Sequence, residues 1–281
     1  MSTSIDQAFV KQFEREVHEA YQRMGSKLRN SVRVKSGVRG ASTVFQKVGK
    51  GTAATKARHG MVPVMNIDHA PIDCPLTDYY AGDWIDHLDE LKTNIDERQV
   101  TANAGAYALG RKTDELIFAA MDGVGAAQQV GVQFGESPAA DAGLTKAKVM
   151  AAYRKLNEAD VPDDGQRFAV VGPAQWSELL DIEEFANADY IGDDALPWRG
   201  TQMKVWLGTL WMYHSGLPID SGVRSCFWYH RSAVGHAIGQ EVITDITWHG
   251  DRAAHFVANF MSQGACLIDE VGVVRIDCAE S

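Results

Sequence analysis

The segment from residue 31 to residue 75 constrains the fold most, because it has too few large apolar side chains to bury itself. Val32, Val34 and Val38 alternate with basic residues, a spacing typical of a strand. The next stretch is rich in glycine and lysine. The segment therefore begins as a strand and continues into a long, basic loop outside the core.

A strand pattern resumes at Met61–Ile67, and Pro71 and Pro75 close the segment. We interpret the whole as a two-stranded excursion with a basic, glycine-rich tip. Long projecting loops in compact domains are often functional. A disordered linker is the alternative interpretation of the same composition.

Charge is divided unevenly along the chain. Residues 1–60 hold twelve Lys and Arg against four Asp and Glu, a net charge of +8, and the other 221 residues carry −18. Such asymmetry concerns partners more than fold. The basic end has only Phe45 near its tip as a stacking aromatic, and the acidic body would repel nucleic acid. We expect the basic end of one subunit to contact the acidic body of another copy of the same chain.

Length and composition indicate a globular protein. Of 281 residues, 45% are hydrophobic and 23% charged, which excludes a disordered chain, a collagen-like rod and a disulfide-rich miniprotein. No apolar run suits a transmembrane helix or a signal peptide, so we expect a protein made in a reducing cytoplasm. The four scattered cysteines are expected to be free buried thiols rather than disulfides.

Apolar periodicity predicts several helices. An amphipathic stripe predicts an N-terminal helix with an apolar face that needs a surface to cover, either on its own body or on a neighbour; this face holds Phe9, Phe13, Val17, Ala20, Tyr21, Met24 and Leu28. A second stripe predicts helix over residues 83–122, and it begins with Trp84, Ile85, Leu88, Leu91 and Ile95. A third helix comes after Thr145, a plausible N-cap.

The second half of the chain mixes strands and helices. Phe168–Val171 is predicted to be a buried strand, and Pro173 to begin a helix. Val242–Trp248 and Phe256–Phe260 alternate on either side of the turn His249–Asp251, which predicts a closing β-hairpin.

No enzyme motif emerges. The glycines at 123 and 125 come after a helix and lead into a loop, so they do not suit a phosphate-binding turn. Four histidines, spaced in two pairs six residues apart, are candidate metal ligands: His230, His236, His249 and His255. Six residues of strand separate two rings by about 20 Å, which is too far for one metal ion, although two strands could bring a pair together. We predict no cofactor.

The order of segments resembles the major capsid protein of tailed bacteriophages, a fold shared with encapsulin shells. The similar stretches run from Ala108 to Asp114, Leu144 to Pro162, Arg167 to Pro173, Ala233 to Ile238 and Gly272 to Ile276. The resemblance covers nearly the whole chain in segment order, through soft patterns rather than an invariant signature. It implies an α+β fold of the tailed-phage major capsid type.

This resemblance also implies a division of the chain. Residues 1–30 would form an N-terminal arm and residues 31–82 an extended β-hairpin loop. Residues 83–165 would form a peripheral domain, with a long spine helix at 145–160. Residues 166–239 would form an axial domain, and residues 240–281 would return to the peripheral domain as C-terminal strands.

In such a shell the arm and loop would contact neighbouring subunits. The intersubunit candidates are Phe9, Phe13, Val17, Tyr21, Lys47, Lys50, Lys56 and Arg58. Some members of the family cross-link covalently through a loop lysine, and nothing in the sequence indicates which loop lysine would react.

The function implied is a non-enzymatic structural subunit that assembles into pentamers and hexamers and encloses double-stranded DNA. Scaffolding, portal or decoration proteins are possible partners, and no membrane is involved. The protein would be made in the host cytoplasm and reside in the virion capsid. An encapsulin-type compartment shell and a histidine-dependent metalloenzyme stay open as alternatives.

Overall fold

The computed structural model describes residues 25–90, 96–135, 140–186 and 203–280. The predicted N-terminal helix lies outside the described residues except for its last few positions, and so do Leu91 and Ile95. The described chain divides into two compact units. The smaller unit contains Asp78–Arg111 and Glu241–Met261, and the larger unit contains Ser26–Thr77, Lys112–Gln240 and the residues from Ser262 onward.

Helices and strands are numbered in chain order. The helices are α1 (His87–Glu90), α2 (Glu97–Asp122), α3 (Lys146–Glu158), α4 (Pro173–Leu180) and α5 (Glu183–Ala186). The strands are β1 (Arg33–Ser36), β2 (Ser42–Val48), β3 (His69–Pro75), β4 (Thr77–Asp86), β5 (Gln129–Val130), β6 (Arg167–Val171), β7 (Met203–Trp206), β8 (Thr209–Tyr213), β9 (Ile219–Asp220), β10 (Val223–His230), β11 (Val234–His249), β12 (Ala254–Leu267) and β13 (Val273–Ala279).

A seven-stranded sheet forms the centre of the larger unit. Its strand order is β5-β13-β10-β6-β8-β7, with β9 beside β10. β10 is antiparallel to both of its long neighbours, with Phe227 opposite Val170 of β6 and Arg275 of β13. Seven of the eight residues of β10 are buried. Because successive side chains of a strand point to opposite faces, both faces of the sheet are covered at β10.

Aromatic side chains fill the core around this sheet. The rings of Trp228 and Trp211 meet edge to face, with their centres 4.9 Å apart. Both buried indole N–H groups have acceptors, since Trp228 donates to the Thr209 hydroxyl and Trp211 to the Trp206 carbonyl, each at 3.0 Å. Large rings with satisfied polar atoms contribute strongly to stability. The larger unit therefore contains its own complete core.

The two predicted helix starts in this unit are confirmed. The Thr145 hydroxyl accepts a hydrogen bond from the Lys148 N–H at 3.4 Å, and α4 begins at Pro173. A helix also lies where the sequence predicted the spine helix, since α3 falls within residues 145–160. α2 is longer, with 26 residues against 13 for α3, and it lies within the helix predicted over residues 83–122.

The smaller unit contains a strand where the sequence predicted the start of a helix. Trp84 and Ile85 belong to β4, and α2 begins only at Glu97. Trp84 is exposed and Ile85 buried, the alternation that a strand with one covered face requires. The spacing of apolar residues at 84, 85 and 88 fitted a helix equally well, which explains the error.

The β-hairpin predicted near the C-terminus is confirmed. β11 ends at His249 and β12 begins at Ala254, and in the smaller unit the strands have the order β11-β12-β4. Ile85, Ala102 and Val257 form the small buried cluster of this unit. This cluster holds residues of β4, α2 and β12 together.

β2 and β3 form a two-stranded antiparallel ribbon in the larger unit. The prediction of its second strand at Met61–Ile67 was wrong, because β3 spans His69–Pro75 and includes both prolines. No strand lies between Val48 and His69. The alternation at 61–67 therefore has no partner strand within the described chain.

The register explains how β3 tolerates its two prolines. The Leu76 N–H donates to the Ala41 carbonyl at 2.9 Å, which makes this a hydrogen-bonded pair. Hydrogen-bonded and non-hydrogen-bonded pairs alternate along antiparallel strands. Pro71 and Pro75 both fall in non-hydrogen-bonded pairs with β2. Their missing N–H groups therefore remove no bond from the ribbon.

Three further features bear on the sequence predictions. β1 runs parallel to β11 in the larger unit, with Arg33 opposite Gly235. In the described ranges no helix is both long and apolar enough to cross a membrane. All four cysteines are buried free thiols, as predicted.

Candidate intersubunit surface

The base of the β2–β3 ribbon is packed into the larger unit. Phe45 and Cys74 are buried together with Ala237, Cys266 and Ile268. The neighbouring Cys74 thiol and burial both raise the pKa of the Cys266 thiol. The hydrogen bond with Cys266 in turn lowers the pKa of the Cys74 thiol. Because both thiols are buried in this cluster, we interpret the pair as a packing element.

Two glycines allow the ribbon to approach the body closely. A Cβ at Gly264 of β12 would lie 1.9 Å from the Pro75 carbonyl oxygen. A Cβ at Gly235 of β11 would lie 2.9 Å from the Phe45 ring. Only glycine permits such contact between a backbone and its neighbour. The base of the ribbon is therefore fixed by backbone contact and a small apolar cluster.

The tip of the ribbon, residues 49–68, is different. It contains no helix or strand and carries a run of exposed apolar side chains. Met61 is 94% exposed and Val64 81% exposed, and Val62 and Met65 are also exposed. Clustered apolar exposure of this kind marks interaction surfaces. We call residues 49–68 the loop tip.

Two of the predicted contact lysines have partners within the subunit. The Nζ atom of Lys47 lies 2.9 Å from a carboxylate oxygen of Asp269. The Nζ atom of Lys50 lies 3.1 Å from a carboxylate oxygen of Asp160. These lysines already neutralise acidic side chains of their own chain.

The other two predicted cations, Lys56 and Arg58, lie in the loop tip and are exposed. Lys56 donates to the Gly60 carbonyl at 3.3 Å. Within the described part of the chain, no carboxylate forms an ion pair with either side chain. Lys56 and Arg58 are therefore the candidates best placed to bind an acidic partner.

The four predicted arm residues, Phe9, Phe13, Val17 and Tyr21, lie outside the described residues. The end of the predicted arm and the residues that follow it are firmly held. Leu28 and Val32 are buried in the main core cluster of the larger unit. The Ser31 hydroxyl is hydrogen-bonded to the Tyr229 hydroxyl at 2.5 Å. The chain is thus anchored where the predicted arm ends.

Sequence reasoning missed a buried polar centre beside this anchor. Asp114 of α2 and His214, which comes after β8, are completely buried and lie 2.9 Å apart. Burial acts to raise the pKa of Asp114, but hydrogen bonds from His214, Ser26 and the Lys27 backbone outweigh it, so the pKa lies below its usual value. Asp114 is therefore a charged, fully hydrogen-bonded carboxylate. Its sequence neighbours gave no signal of this role.

A second buried charge lies near the edge of the seven-stranded sheet. The Lys204 ammonium donates to the Phe185 carbonyl at 2.6 Å and lies 4.5 Å from the centre of the Phe185 ring. Burial lowers the pKa of Lys204 to about 8. This lysine has a structural contact that depends on its protonation.

The histidines considered as metal ligands have separate environments. His230 is hydrogen-bonded to Asp164 at 3.1 Å and His236 to Gln263 at 3.1 Å. His249 and His255 pack against tryptophan rings. Among the described residues, no group of three or more His, Cys, Asp or Glu side chains could hold a metal ion. Nothing there supports the metalloenzyme alternative.

Solved structures identify the fold as that of tailed-phage capsid proteins. The capsid of cyanophage P-SCSP1u matches with a TM-score of 0.77 and 18% identity, covering 100% of this chain and 96% of that chain. Mycobacterium phage Che8 matches with a TM-score of 0.72 and 18% identity over 97% and 98% of the two chains. The capsid of Ralstonia phage GP4 gives 0.73 and 14% identity over 100% and 99%.

Family comparison gives the same result from the sequence. A family model described as "Phage capsid protein" matches residues 5–280. The chain belongs to this phage capsid protein family, and it is a structural subunit of an icosahedral viral capsid. A comparison with curated proteins finds no match. Nothing in these comparisons favours the encapsulin alternative.

Proposed function

We propose that this subunit assembles into the pentamers and hexamers of a capsid and that the loop tip provides one of the contacts between subunits. The observation that carries the proposal is the run of exposed apolar side chains in the loop tip, such as Met61 and Val64. An apolar run on a projecting loop remains in water until a neighbour covers it. Repeated around a ring, one such contact per subunit gives a closed assembly.

Charge supports a copy of the same chain as the neighbour. Lys56 and Arg58 directly precede the apolar run, whereas the segments Asp78–Arg111 and Glu241–Met261 of the smaller unit have ten Asp and Glu against four Lys and Arg. That unit also exposes large aromatic side chains, including Tyr80, Trp84 and Trp248. A cationic apolar tip and an acidic aromatic surface complement each other, which orients association and sets specificity.

The negative charge of the rest of the chain suits a shell that encloses double-stranded DNA without binding it. The body of the chain is strongly acidic, and acidic surfaces repel phosphate. We expect no sequence-specific contact with DNA and no catalytic role. Synthesis in the host cytoplasm precedes assembly, and scaffolding, portal or decoration proteins are further partners of the shell.

The arm residues Phe9, Phe13, Val17 and Tyr21 are proposed to cover a neighbour's surface.

The test changes the charge of the loop tip in steps. Lys56→Gln/Arg58→Gln removes two positive charges and Lys56→Glu/Arg58→Glu reverses them. The matched control, Lys56→Arg/Arg58→Lys, keeps the charge. Because neither side chain pairs with a carboxylate of the described chain, all three proteins are expected to fold like the wild type. Negative-stain microscopy and sedimentation then measure closed particles, with circular dichroism as the folding control.

We expect the control to assemble normally, the neutral variant to assemble several-fold less and the reversed variant to remain as capsomers or monomers. Normal shells from the reversed variant would contradict the role of the loop tip. A wild-type protein that stays monomeric at high concentration would contradict the capsomer proposal itself. Pentamers and hexamers are identified directly from class averages of the particles.

A further inference from the structure

We propose that Asp114 is a positioning residue for assembly: it fixes the point and direction at which the N-terminal arm leaves the body of the subunit. This inference deepens the proposed function, and it rests on the proposal that the arm covers a neighbouring subunit. The juxtaposition that carries it is a completely buried carboxylate on α2 beside residues 26–28, which lie at the end of the predicted arm.

Asp114 binds the start of the body through three successive residues. Its carboxylate accepts hydrogen bonds from the Ser26 hydroxyl at 2.5 Å and from the backbone N–H groups of Lys27 and Leu28 at 3.2 Å each. The Ser26 hydroxyl oxygen in turn accepts the Arg29 N–H at 3.2 Å. Two consecutive backbone groups held by one carboxylate fix the orientation of the chain as well as its position.

His214 holds the carboxylate itself in place. Its Nδ1 accepts a hydrogen bond from the Gly216 N–H at 3.1 Å, so the proton of the neutral ring is on Nε2, which lies 2.9 Å from Asp114. The ring meets Phe118 edge to face with centres 4.9 Å apart. The His214 backbone N–H donates to the Val171 carbonyl at 2.8 Å. The acceptor for the arm is thus built onto the central sheet.

An ionised carboxylate suits this position better than any other side chain of its size. All the groups named around Asp114 are donors, and an ionised carboxylate has only acceptor sites. An asparagine would keep the shape but direct its own N–H₂ group at one of these donors. Asp114→Asn therefore tests the hydrogen bonds with minimal change of volume.

The rest of the anchor does not depend on Asp114. Leu28 and Val32 are buried in the core, and Ser31 is hydrogen-bonded to Tyr229. Loss of the Asp114 contacts would free Ser26 and Lys27 while residues 28–32 stay packed. The expected defect is therefore in where the arm goes, and not in whether the subunit has a core.

The experiment uses the full chain with benzoylphenylalanine in place of Phe13, so that light cross-links the arm to whatever it touches. Wild type is compared with Asp114→Asn and with Ser26→Ala, which removes only the arm-side hydroxyl. Ser26→Thr keeps the hydroxyl and serves as the conservative control. Leu28→Ala destabilises the core without removing an Asp114 contact from a backbone N–H. Particle yield and the cross-linked peptides are measured together.

We expect wild type and Ser26→Thr to give one dominant intersubunit cross-linked peptide. Asp114→Asn is expected to lose that peptide and at least tenfold of the particle yield, and Ser26→Ala to lose about threefold of the yield. Leu28→Ala is expected to lower the melting temperature while keeping the same cross-linked peptide.

The possible failures are distinguishable. If wild type forms no particles, the proposed function fails. If wild type assembles and Asp114→Asn gives the same yield and the same peptide, only the positioning role is overturned. If Asp114→Asn does not fold, Ser26→Ala decides, and an unchanged cross-link and yield in that variant would overturn the inference.

Discussion

The seven-stranded sheet and the loop tip show opposite ways of using apolar side chains. In the sheet, seven of eight residues of β10 are buried, and the two central tryptophans have their N–H groups hydrogen-bonded. In the loop tip, Met61 and its neighbours are exposed and no helix or strand forms. The sheet is complete within one subunit, whereas the apolar side chains of the loop tip stay exposed within the described chain.

This difference separates folding from assembly. A subunit with a complete core can fold before it meets its neighbours, and its exposed apolar loop can then drive association. The ribbon base lies between these extremes, because glycines and a small cluster join it to the body. Substitutions in the sheet should therefore affect stability, and those in the loop tip should affect assembly.

The largest expected effect is on the core. Trp228→Ala removes a fully buried ring and leaves the Thr209 hydroxyl without its donor. We expect a loss of about 3–5 kcal/mol in the free energy of unfolding, measured by urea denaturation of the isolated subunit. Met61→Ala is the paired variant and should change it by less than about 0.5 kcal/mol. Similar losses in the two variants would end the distinction between the regions.

A second, smaller effect concerns the ribbon base. Gly264→Ala would place a Cβ against the Pro75 carbonyl, which is backbone and cannot rotate away. We expect a loss of about 1–3 kcal/mol, typical of overpacking, with faster proteolysis within the ribbon. Gly131→Ala is the control, since no atom lies within 4 Å of the added carbon. Equal stability of the two variants would show that the ribbon is not held by this contact.

Sequence patterns predicted the elements whose signals are local. The alternation at Val242–Trp248 gave the C-terminal hairpin, and the Thr145 cap and Pro173 gave two helix starts. The order of segments gave the capsid fold, which the family comparison confirms. The hairpin and helix-start signals depend on neighbours a few residues away, so no knowledge of tertiary contacts was needed, whereas the capsid fold was inferred from a resemblance over nearly the whole chain.

The errors and omissions depend on contacts that are distant in sequence. Whether Trp84 and Ile85 form helix or strand is decided by β12, and the end of the ribbon by its register with β2. The partners of Asp114 lie 86 to 100 residues away in the chain. For the candidate contacts, sequence located the basic loop but not which of its lysines are paired within the subunit.

A third effect depends on pH and tests a charge buried within the sheet region. Burial lowers the pKa of Lys204 to about 8, whereas an unfolded lysine has a pKa of about 10.4. Between these values the unfolded chain binds more protons than the folded one, so the unfolding free energy rises with pH. We expect a gain of about 1–2 kcal/mol from pH 8 to pH 10, measured by urea denaturation.

Lys204→Met isolates this contribution. The variant has no ammonium group to desolvate. When its unfolding free energy is subtracted from that of wild type at each pH, the other titrating groups cancel and the rise due to Lys204 should remain. Parallel profiles over this range would mean that Lys204 retains its ordinary pKa in the folded subunit.

The smallest expected effects concern the two ion pairs made by Lys47 and Lys50. Their strengths determine which of these lysines is available to bind a neighbouring subunit. The Lys47–Asp269 side chains are 38% and 34% exposed, and the Lys50–Asp160 side chains 78% and 82%. Double-mutant cycles with Lys→Ala and Asp→Asn should give about 0.5–1 kcal/mol for the first pair and less than about 0.3 kcal/mol for the second. Lys47 would then remain with Asp269, whereas Lys50 could exchange Asp160 for a neighbour's carboxylate at almost no loss of stability. Reversing the charge of Lys50 should then weaken assembly without weakening the subunit, as at Lys56 and Arg58, and equal coupling energies for the two pairs would remove that distinction.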